Sequence, residues 1–553
     1  MTPEQLSQSV LDALTAIVES GEVDLPKLPR EVRIERPKSK EHGDYATNVA
    51  LQVAKQAGLP PRELAGLLAA RLESSPGIAS VEVAGPGFIN VRVEASAQAI
   101  LARQVVDAGQ GYGTSDTLAG QTINLEFISA NPTGPLHLGH TRWAAVGDAI
   151  ARVLQAAGAE VTREFYINDR GSQMDNFGAS LVAAAHGQET PADGYHGAYI
   201  AELAESIVDE DPGITDLPAQ DQLSAFGEAG YRRQLSEQRE QLDAFRTHFD
   251  VWYSERDLHD GGKVEHGLDR LKSQGHLFEQ DGALWMRTTD FGDDKDRVLV
   301  RSNGTLTYFA SDTAYYVDKR ERGFDRCIYL LGADHHGYVG RLEAMAACAG
   351  DDPTTHIEVL IGQMVKILRD GEEVRLSKRA GSIVTLQETV DLIGVDALRY
   401  TLCRYPVDSP LTLDVEAVTR QTADNPVFYV QYGHARLASI MRNAADLGLA
   451  PAGADFDPGL LDHQREGDLL RALGEFPRVV AQAAELREPH RVARYLEGTA
   501  GTFHKFYDEC RVLPRGDEEP TPLHGARLLL VDATRTVLSN GLALLGVDAP
   551  ERM

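Results

Sequence analysis

The stretch 124–157, NLEFISANPTGPLHLGHTRWAAVGDAIARVLQAA, decides how this chain folds. Residues Thr122 to Ile128 are β-branched and aromatic with one acid, Glu126, among them, which predicts a strand that breaks at Asn131, Pro132, Gly134 and Pro135. A helix is expected from about Gly139 to Ala157, with Ala144, Ala145, Ala149, Ile150, Val153 and Leu154 on its apolar face and Gly158 where a C′ glycine would stand. Glu160 to Ile167 then reads as a second strand. Strand, tight loop, helix and strand make a βαβ unit, the building block of a parallel α/β sheet.

The loop places two imidazoles, His137 and His140, around Gly139 at the mouth of that helix. A helix N-terminus offers unpaired N–H groups and partial positive charge, which suits a phosphate. Gly139 would let a flat base or a phosphate approach the backbone, while the histidines can donate to phosphate oxygens whose charge grows during group transfer. Taken alone, HLGH reads rather as a metal-free surface turn or the start of a capped helix.

Working outward, 553 residues exceed one hydrophobic core and suggest about three or four domains. The N-terminal Thr2-Pro3-Glu4-Gln5 reads as a capping box with proline at N1, and Leu6, Val10, Leu14, Ile17 and Val18 recur at helical spacing. Val81 and Val83, a break at Gly85 to Gly87, and Phe88, Ile89, Val91 and Val93 predict a hairpin, so residues 1–113 read as a small α+β domain. The catalytic sheet is expected over 114–395, interrupted by a polar helical insertion around 170–290. The remainder, 396–553, is almost wholly helical, with Arg399, Arg404, Arg420, Arg436 and Arg442 giving it local positive charge.

Two further signals fall inside the sheet domain. Alternation resumes at Gly304 to Asp312, and the apolar run Arg326 to Leu331, a buried parallel strand by its composition, leads into Gly332-Ala333-Asp334-His335-His336. An acid at the carboxyl end of such a strand is placed to accept hydrogen bonds from a ribose, or else to cap the helix that begins near Tyr338. An Asp370-Gly371 turn precedes Val374-Arg375-Leu376-Ser377-Lys378-Arg379-Ala380-Gly381, a cationic loop able to close on a triphosphate if it is more than a solvated charge run. Thr385 and Glu388 form another capping box after it.

Composition excludes several classes. With 42% hydrophobic and 25% charged residues the chain is globular, and neither a run of about 18 apolar residues nor a basic leader before an apolar segment occurs, so a cytoplasmic protein without a membrane span is expected. The four cysteines, Cys327, Cys348, Cys403 and Cys510, form no CxxC pair and predict buried thiols rather than zinc or disulfides. A net charge of −29 argues against a general nucleic-acid coat but leaves room for RNA bound through a local basic stripe and shape.

The ordered set SANPTGPLHLGH, GADHH, RLSKRAG and a helical C-terminal region beginning near NPVFYVQYGHAR resembles the class I aminoacyl-tRNA synthetases, and more narrowly the arginyl-tRNA synthetase family, over essentially the whole chain. HGDYATN, GPGFIN, GVDALRY and LLGVDAPERM extend the similarity. RLSKR departs from the family's lysine-methionine-serine-lysine-serine signature at its outer positions, Arg375 and Arg379. The resemblance implies a multidomain α/β protein with a Rossmann-like catalytic domain, and a two-step reaction in which arginine is activated by ATP and passed to tRNA(Arg). It places His137, His140, Ser377 and Lys378 on the ATP phosphates, Gly139 beside the adenine, and Gly332 and Asp334 on the ribose, with Mg2+ accompanying the pyrophosphate although no carboxylate cluster marks a metal site.

For the amino acid, the family's pocket corresponds to Glu126, Asn131, Tyr308, Asp312 and His335, and paired carboxylates suit a planar, permanently charged guanidinium. Glu126 and Asp312 would otherwise each pair with an arginine of the protein itself. Phe88 and Asn90 are the expected contacts to the tRNA elbow and Tyr507 and Met553 to the anticodon. A monomer is expected. Two alternatives remain open: another class I specificity, discriminated by the side-chain pocket, and a non-catalytic tRNA-binding paralogue, which has no reason to keep both histidines, Asp334 and Lys378.

Overall fold

The computed structural model describes residues 1–37, 39–373, 384–453 and 455–553. Its centre is a five-stranded parallel sheet, whose strands we number β1 (Thr122–Phe127), β2 (Glu160–Ile167), β3 (Val251–Ser254), β4 (Arg326–Gly332) and β5 (Ile357–Gly362). Their spatial order is β5-β4-β1-β2-β3. The order in which strands are added therefore reverses beside β1, and the crevice between the carboxyl ends of β1 and β4 is the topological switch point where open α/β sheets bind ligands. Phe127 pairs with Leu330 there, in the last register step of β1 and two residues before the end of β4.

Helix α1 (Leu138–Ala156) follows β1, one residue from the expected start, and Gly158 takes φ +97° just beyond its end. Two glycines let it lie close on the sheet. A Cβ on Gly147 would come within 2.4 Å of the Phe127 ring, and one on Gly362 within 1.8 Å of the Trp143 indole, so helix and strands approach where larger residues could not fit. Ile123, Leu125 and Phe127 are at most 1% exposed, and each such side chain contributes about 2 kcal/mol by burial. Packing of this kind fixes the position of the loop between β1 and α1.

The helical insertion runs through Ser172–Ala185, Ala198–Glu210 and Ala219–Ala244. It ends earlier than the sequence suggests, because Val251–Ser254 returns to the main sheet as its edge and a three-stranded antiparallel sheet (Leu277–Gln280, Ala283–Met286, Arg297–Val300) follows. Strands of four residues carry too short a pattern to announce themselves. A cleft of about 810 Å3 lies within the insertion, lined by Ile214, Leu217 and Ala225 among others, and none of the expected site residues line it.

The N-terminal unit has the expected form. Thr2 and Gln5 make the reciprocal capping box, Leu6, Val10, Leu14 and Ile17 are buried, and Phe88–Val93 pairs with Ile78–Ala84 across the turn at Gly85 and Gly87. Beyond helices α2 (Tyr308–Glu321), α3 (Leu386–Ile393) and α4 (Val395–Cys403), the chain is helical through Pro426–Asp446 to Pro522–Leu544. Arg142 of α1 is fully buried and donates to the carbonyls of Gln363, Pro406 and Ser409, which fastens α1 to the segments entering the C-terminal unit. All four cysteines are free and buried. Among the described residues no helix is long and apolar enough to cross a membrane.

Candidate active site at the carboxyl edge of the sheet

β1 ends in an unusual turn. Ile128 and Ser129 take φ of +69° and +45°, a region that costs non-glycine residues about 1 kcal/mol or more each and that accumulates at functional sites. The turn is held by specific bonds: Ser129 Oγ donates to Glu126 Oε1 at 3.0 Å and accepts from the Tyr166 amide at 3.1 Å. Beyond it, Gln238 from the insertion donates to the carbonyls of Asn131 and Gly134, while Tyr199 donates to that of Thr133. The insertion and the loop between β1 and α1 are thus hydrogen-bonded together. Asn131 itself is exposed.

His137 is the N-cap of α1. Its Nδ1 accepts from the Gly139 amide at 3.1 Å, and His140 Nδ1 accepts from the His137 amide at 3.3 Å. The rings stack with centroids 3.8 Å apart. With both Nδ1 atoms accepting, each neutral imidazole carries its proton on Nε2, the donor that a phosphate oxygen would meet. Gly139 leaves room for this arrangement, since a Cβ there would sit 3.0 Å from the His137 ring and the ring would have to shift. Residues 136–138 are also bridged to the segment that leaves the RLSKR stretch: Leu138 N–H donates to Val384 O at 3.1 Å, and Leu386 N–H to Leu136 O at 2.8 Å. Ser377 and Lys378 lie outside the described residues.

At the end of β4, Gly332 opens a 3-10 turn that carries an exposed Asp334 and an exposed His335, the latter with Nε2 3.5 Å from the Asp334 carboxylate. A Cβ at Gly332 would fall 2.5 Å from Asp334 Oδ1. The acid therefore folds back over the strand end at the switch point, where a ribose would lie.

The acidic pocket is built by one face of α2. Tyr308, Asp312, Tyr315 and Lys319 recur at spacings of four, three and four, so they share a stripe. Tyr308, 76% exposed, begins the helix one turn before Asp312. Asp312 faces the carboxylates of Glu126 and Glu255, and no described residue hydrogen-bonds or ion-pairs with it. Burial, reinforced by Glu126 and Glu255 and opposed by Arg341, pushes its carboxyl up to about 7. Glu255 is likewise raised, first by its burial and then by Asp169. Glu126 is not unpaired: Lys319 Nζ lies 2.6 Å from its Oε2. The self-pairing weighed for Glu126 does occur, with a lysine in place of an arginine, whereas Asp312 has no such partner.

Sequence reasoning missed Lys319, Glu255 and Ser129. Lys319 lies in the run DKRER, which reads as a solvated helix end, yet it is wholly buried. Its signal was the spacing from Asp312. Of the expected tRNA contacts, Phe88 is 41% exposed, while Asn90, on the same face of the strand, is 7% exposed. Tyr507 lies under the Arg436 guanidinium at 4.2 Å, and Met553 is exposed at the end of a tail held by His434, which donates to the Pro550 carbonyl. Tyr432, also exposed, stacks near Phe428 and adds an aromatic surface the sequence did not single out.

Among the described residues no group of three or more His, Cys, Asp or Glu could hold a metal ion. The loop nearest the phosphate position offers imidazoles instead of the carboxylate oxygens that Mg2+ prefers, so the described chain does not itself form a cage for that ion.

Comparison with known proteins identifies the family of the chain. Residues 4–93 match the family model described as arginyl tRNA synthetase N terminal domain, 102–204 and 228–399 that of the tRNA synthetases class I (R) catalytic domain, and 430–553 the DALR anticodon binding domain. The chain is 57% identical to the arginine–tRNA ligase of Frankia alni over 553 residues, and 57% identical to that of Renibacterium salmoninarum over 555, with 100% of each chain covered in both cases. The arginyl-tRNA synthetase structure from Thermus thermophilus has the same fold, with a TM-score of 0.76 at 23% identity over 100% of both chains. An HLGH helix and a GADHH turn flanking the switch point, an acidic pocket beside them and full-length similarity on both sides place this chain in the arginyl-tRNA synthetase family.

Proposed function

We propose that the chain is an arginine–tRNA ligase. Arginine's carboxylate attacks the α-phosphate of ATP, releasing pyrophosphate, and the terminal ribose hydroxyl of tRNA(Arg) then takes the arginyl group from the adenylate with AMP leaving. No protein nucleophile is needed, so the residues act by position and charge. His137 and His140 donate from Nε2 to the phosphates, Gly139 admits the adenine, Gly332 and Asp334 receive the ribose, and Ser377 and Lys378 offset charge on the departing pyrophosphate. Glu126, Asn131, Tyr308, Asp312 and His335 hold arginine. Mg2+ would travel with the pyrophosphate oxygens, and no step here depends on it.

The observation that carries this reading is Asp312, a carboxylate facing two others and paired with no described residue. A guanidinium is the ligand such a site lacks. The tRNA lies along the N-terminal unit, where Phe88 and Asn90 meet the elbow, to Tyr507, Tyr432 and Met553 at the anticodon. With free thiols, ATP and tRNA as its chemistry, the enzyme works in the cytoplasm, as a monomer.

Aminoacylation assayed with each of the twenty amino acids and total tRNA tests the specificity, and Asp312→Asn tests the pocket. Removing one charge from a desolvated contact costs about 2 to 5 kcal/mol, so the arginine KM should rise on the order of thirtyfold or more while ATP affinity stays put. Citrulline, isosteric but neutral, should be rejected by the wild type and lose less on substitution. An unchanged arginine KM, or equal losses for arginine and ATP, removes Asp312 from the pocket.

A further inference from the structure

Lys319 is 0% exposed in the middle of the acidic pocket's supporting layer. Its Nζ lies 2.6 Å from Glu126 Oε2 and 4.0 Å from Glu164 Oε1, between the faces of Tyr315 at 4.3 Å and Tyr329 at 4.1 Å. Glu164 has its own counterion. Arg322 binds it with both Nη atoms at 2.6 and 2.9 Å, and Asn124 Nδ2 donates to it at 3.0 Å. The charge of Lys319 is therefore committed to Glu126, whose other oxygen is held by Ser129. A wholly buried ammonium is costly unless paired and hydrogen-bonded, and two aromatic faces add to its hold.

We propose that Lys319 is a positioning residue for the arginine pocket, acting through Glu126. It does two things. It locks the Glu126 carboxylate in one orientation, together with Ser129, so the pocket is shaped before arginine arrives. It also cancels the negative charge of Glu126, one of the two carboxylates assigned to arginine. Two adjacent uncompensated carboxylates would favour either a second cation or a proton, whereas Glu126 compensated by Lys319 leaves Asp312 to balance a single guanidinium. The pocket then reads one positive charge on the ligand's side chain. This rests on the assignment of Asp312 and Glu126 to arginine made above.

A double-mutant cycle on the full-length enzyme tests it, with KM for arginine, KM for ATP and the thermal midpoint measured for wild type, Lys319→Met, Glu126→Gln and the pair combined. Lys319→Met should raise the arginine KM about tenfold or more and leave the ATP KM within about twofold, a split that general destabilisation does not produce. If Lys319 acts through Glu126, adding Lys319→Met to Glu126→Gln should change the arginine KM by no more than about threefold, because the two effects share one contact. This arm stands even if the single lysine variant fails to fold, since the pair removes both charges of the Lys319–Glu126 contact together. Additive losses, or a wild-type arginine KM in Lys319→Met beside an impaired Glu126→Gln, overturn the role of Lys319 and leave the pocket intact. Wild-type arginine KM in both Glu126→Gln and Asp312→Asn would instead remove the pocket assignment itself.

Discussion

The amide of Leu138 donates to the carbonyl of Val384 at 3.1 Å, so the first residue of the HLGH helix is fastened to the chain where it leaves the RLSKR stretch. His137 and Thr385 form the adjoining bridge. The HLGH helix and the segment from Val384 into α3 therefore share one backbone junction, and the start of α3 is the element that holds it. Thr385 caps α3 reciprocally with Glu388 at 3.1 and 2.8 Å. Thr385→Ala should cost about 1 kcal/mol of cap and loosen the junction. Pyrophosphate exchange is expected to fall severalfold with arginine KM unchanged; equal effects on both substrates would mean that the junction does not act on the phosphate side.

Gly139→Ala separates helix stability from chemistry. Alanine is the better helix former by about 1 kcal/mol, so thermal stability should hold or rise. The added Cβ would stand 3.0 Å from the His137 ring and push it off the Gly139 amide. Loss of a donor aimed at transition-state charge costs on the order of a hundredfold in rate, which should appear in single-turnover adenylate formation. A stable variant with wild-type rate would show that the His137 orientation is not used.

The raised carboxyl of Asp312 sets a pH dependence. Burial, then Glu126 and Glu255, lift it from 3.8 to about 7, and arginine needs its anionic form. As pH falls through 7 the proton competes with the guanidinium, so arginine KM should rise roughly tenfold per pH unit below that point. The stability sign is opposite. A folded-state value above the unfolded one contributes stability that is full below about 4 and is lost as pH rises through 7, so arginine's thermal protection should grow with pH. Asp312→Asn should flatten both profiles. A wild-type KM that does not vary between pH 5.5 and 8 would place another group opposite the guanidinium.

Much of this was legible because its signals are local. The second strand, Glu160–Ile167, and the capping boxes at Thr2 and Thr385 follow from patterns contained within a few residues. What escaped depends on contacts far apart in sequence. Lys319 sits 193 residues from Glu126, and a buried lysine in a charge run has no local mark that separates it from a solvated one. Glu255 owes its place to a four-residue edge strand, and Asn90 its low exposure to a central strand flanked on both sides. Asp312 was singled out by resemblance to a family pocket, and only the fold shows that no described residue hydrogen-bonds or ion-pairs with it.

The tail motif LLGVDAPERM and the stretch GVDALRY meet around Arg399, which is wholly buried, binds Asp148 of α1 at 2.5 Å and donates to the carbonyls of Phe245 and Leu545. Gly546 makes room for it. Its φ is +67°, and a Cβ there would fall 2.2 Å from Arg399 Nη2. Gly448 supplies the control, with φ +69° and nothing within 4 Å of its would-be Cβ. Gly448→Ala should therefore cost only the left-handed backbone, about 1 kcal/mol. Gly546→Ala adds displacement of a buried guanidinium from its carboxylate, so it should lose about 3 kcal/mol or more. Chemical denaturation of both variants, followed transition by transition since a chain of several domains need not unfold in one step, decides it. Equal losses would show that the Arg399 cluster yields to the tail, while a larger loss at Gly546 makes the tail a fixed part of the catalytic helix's support.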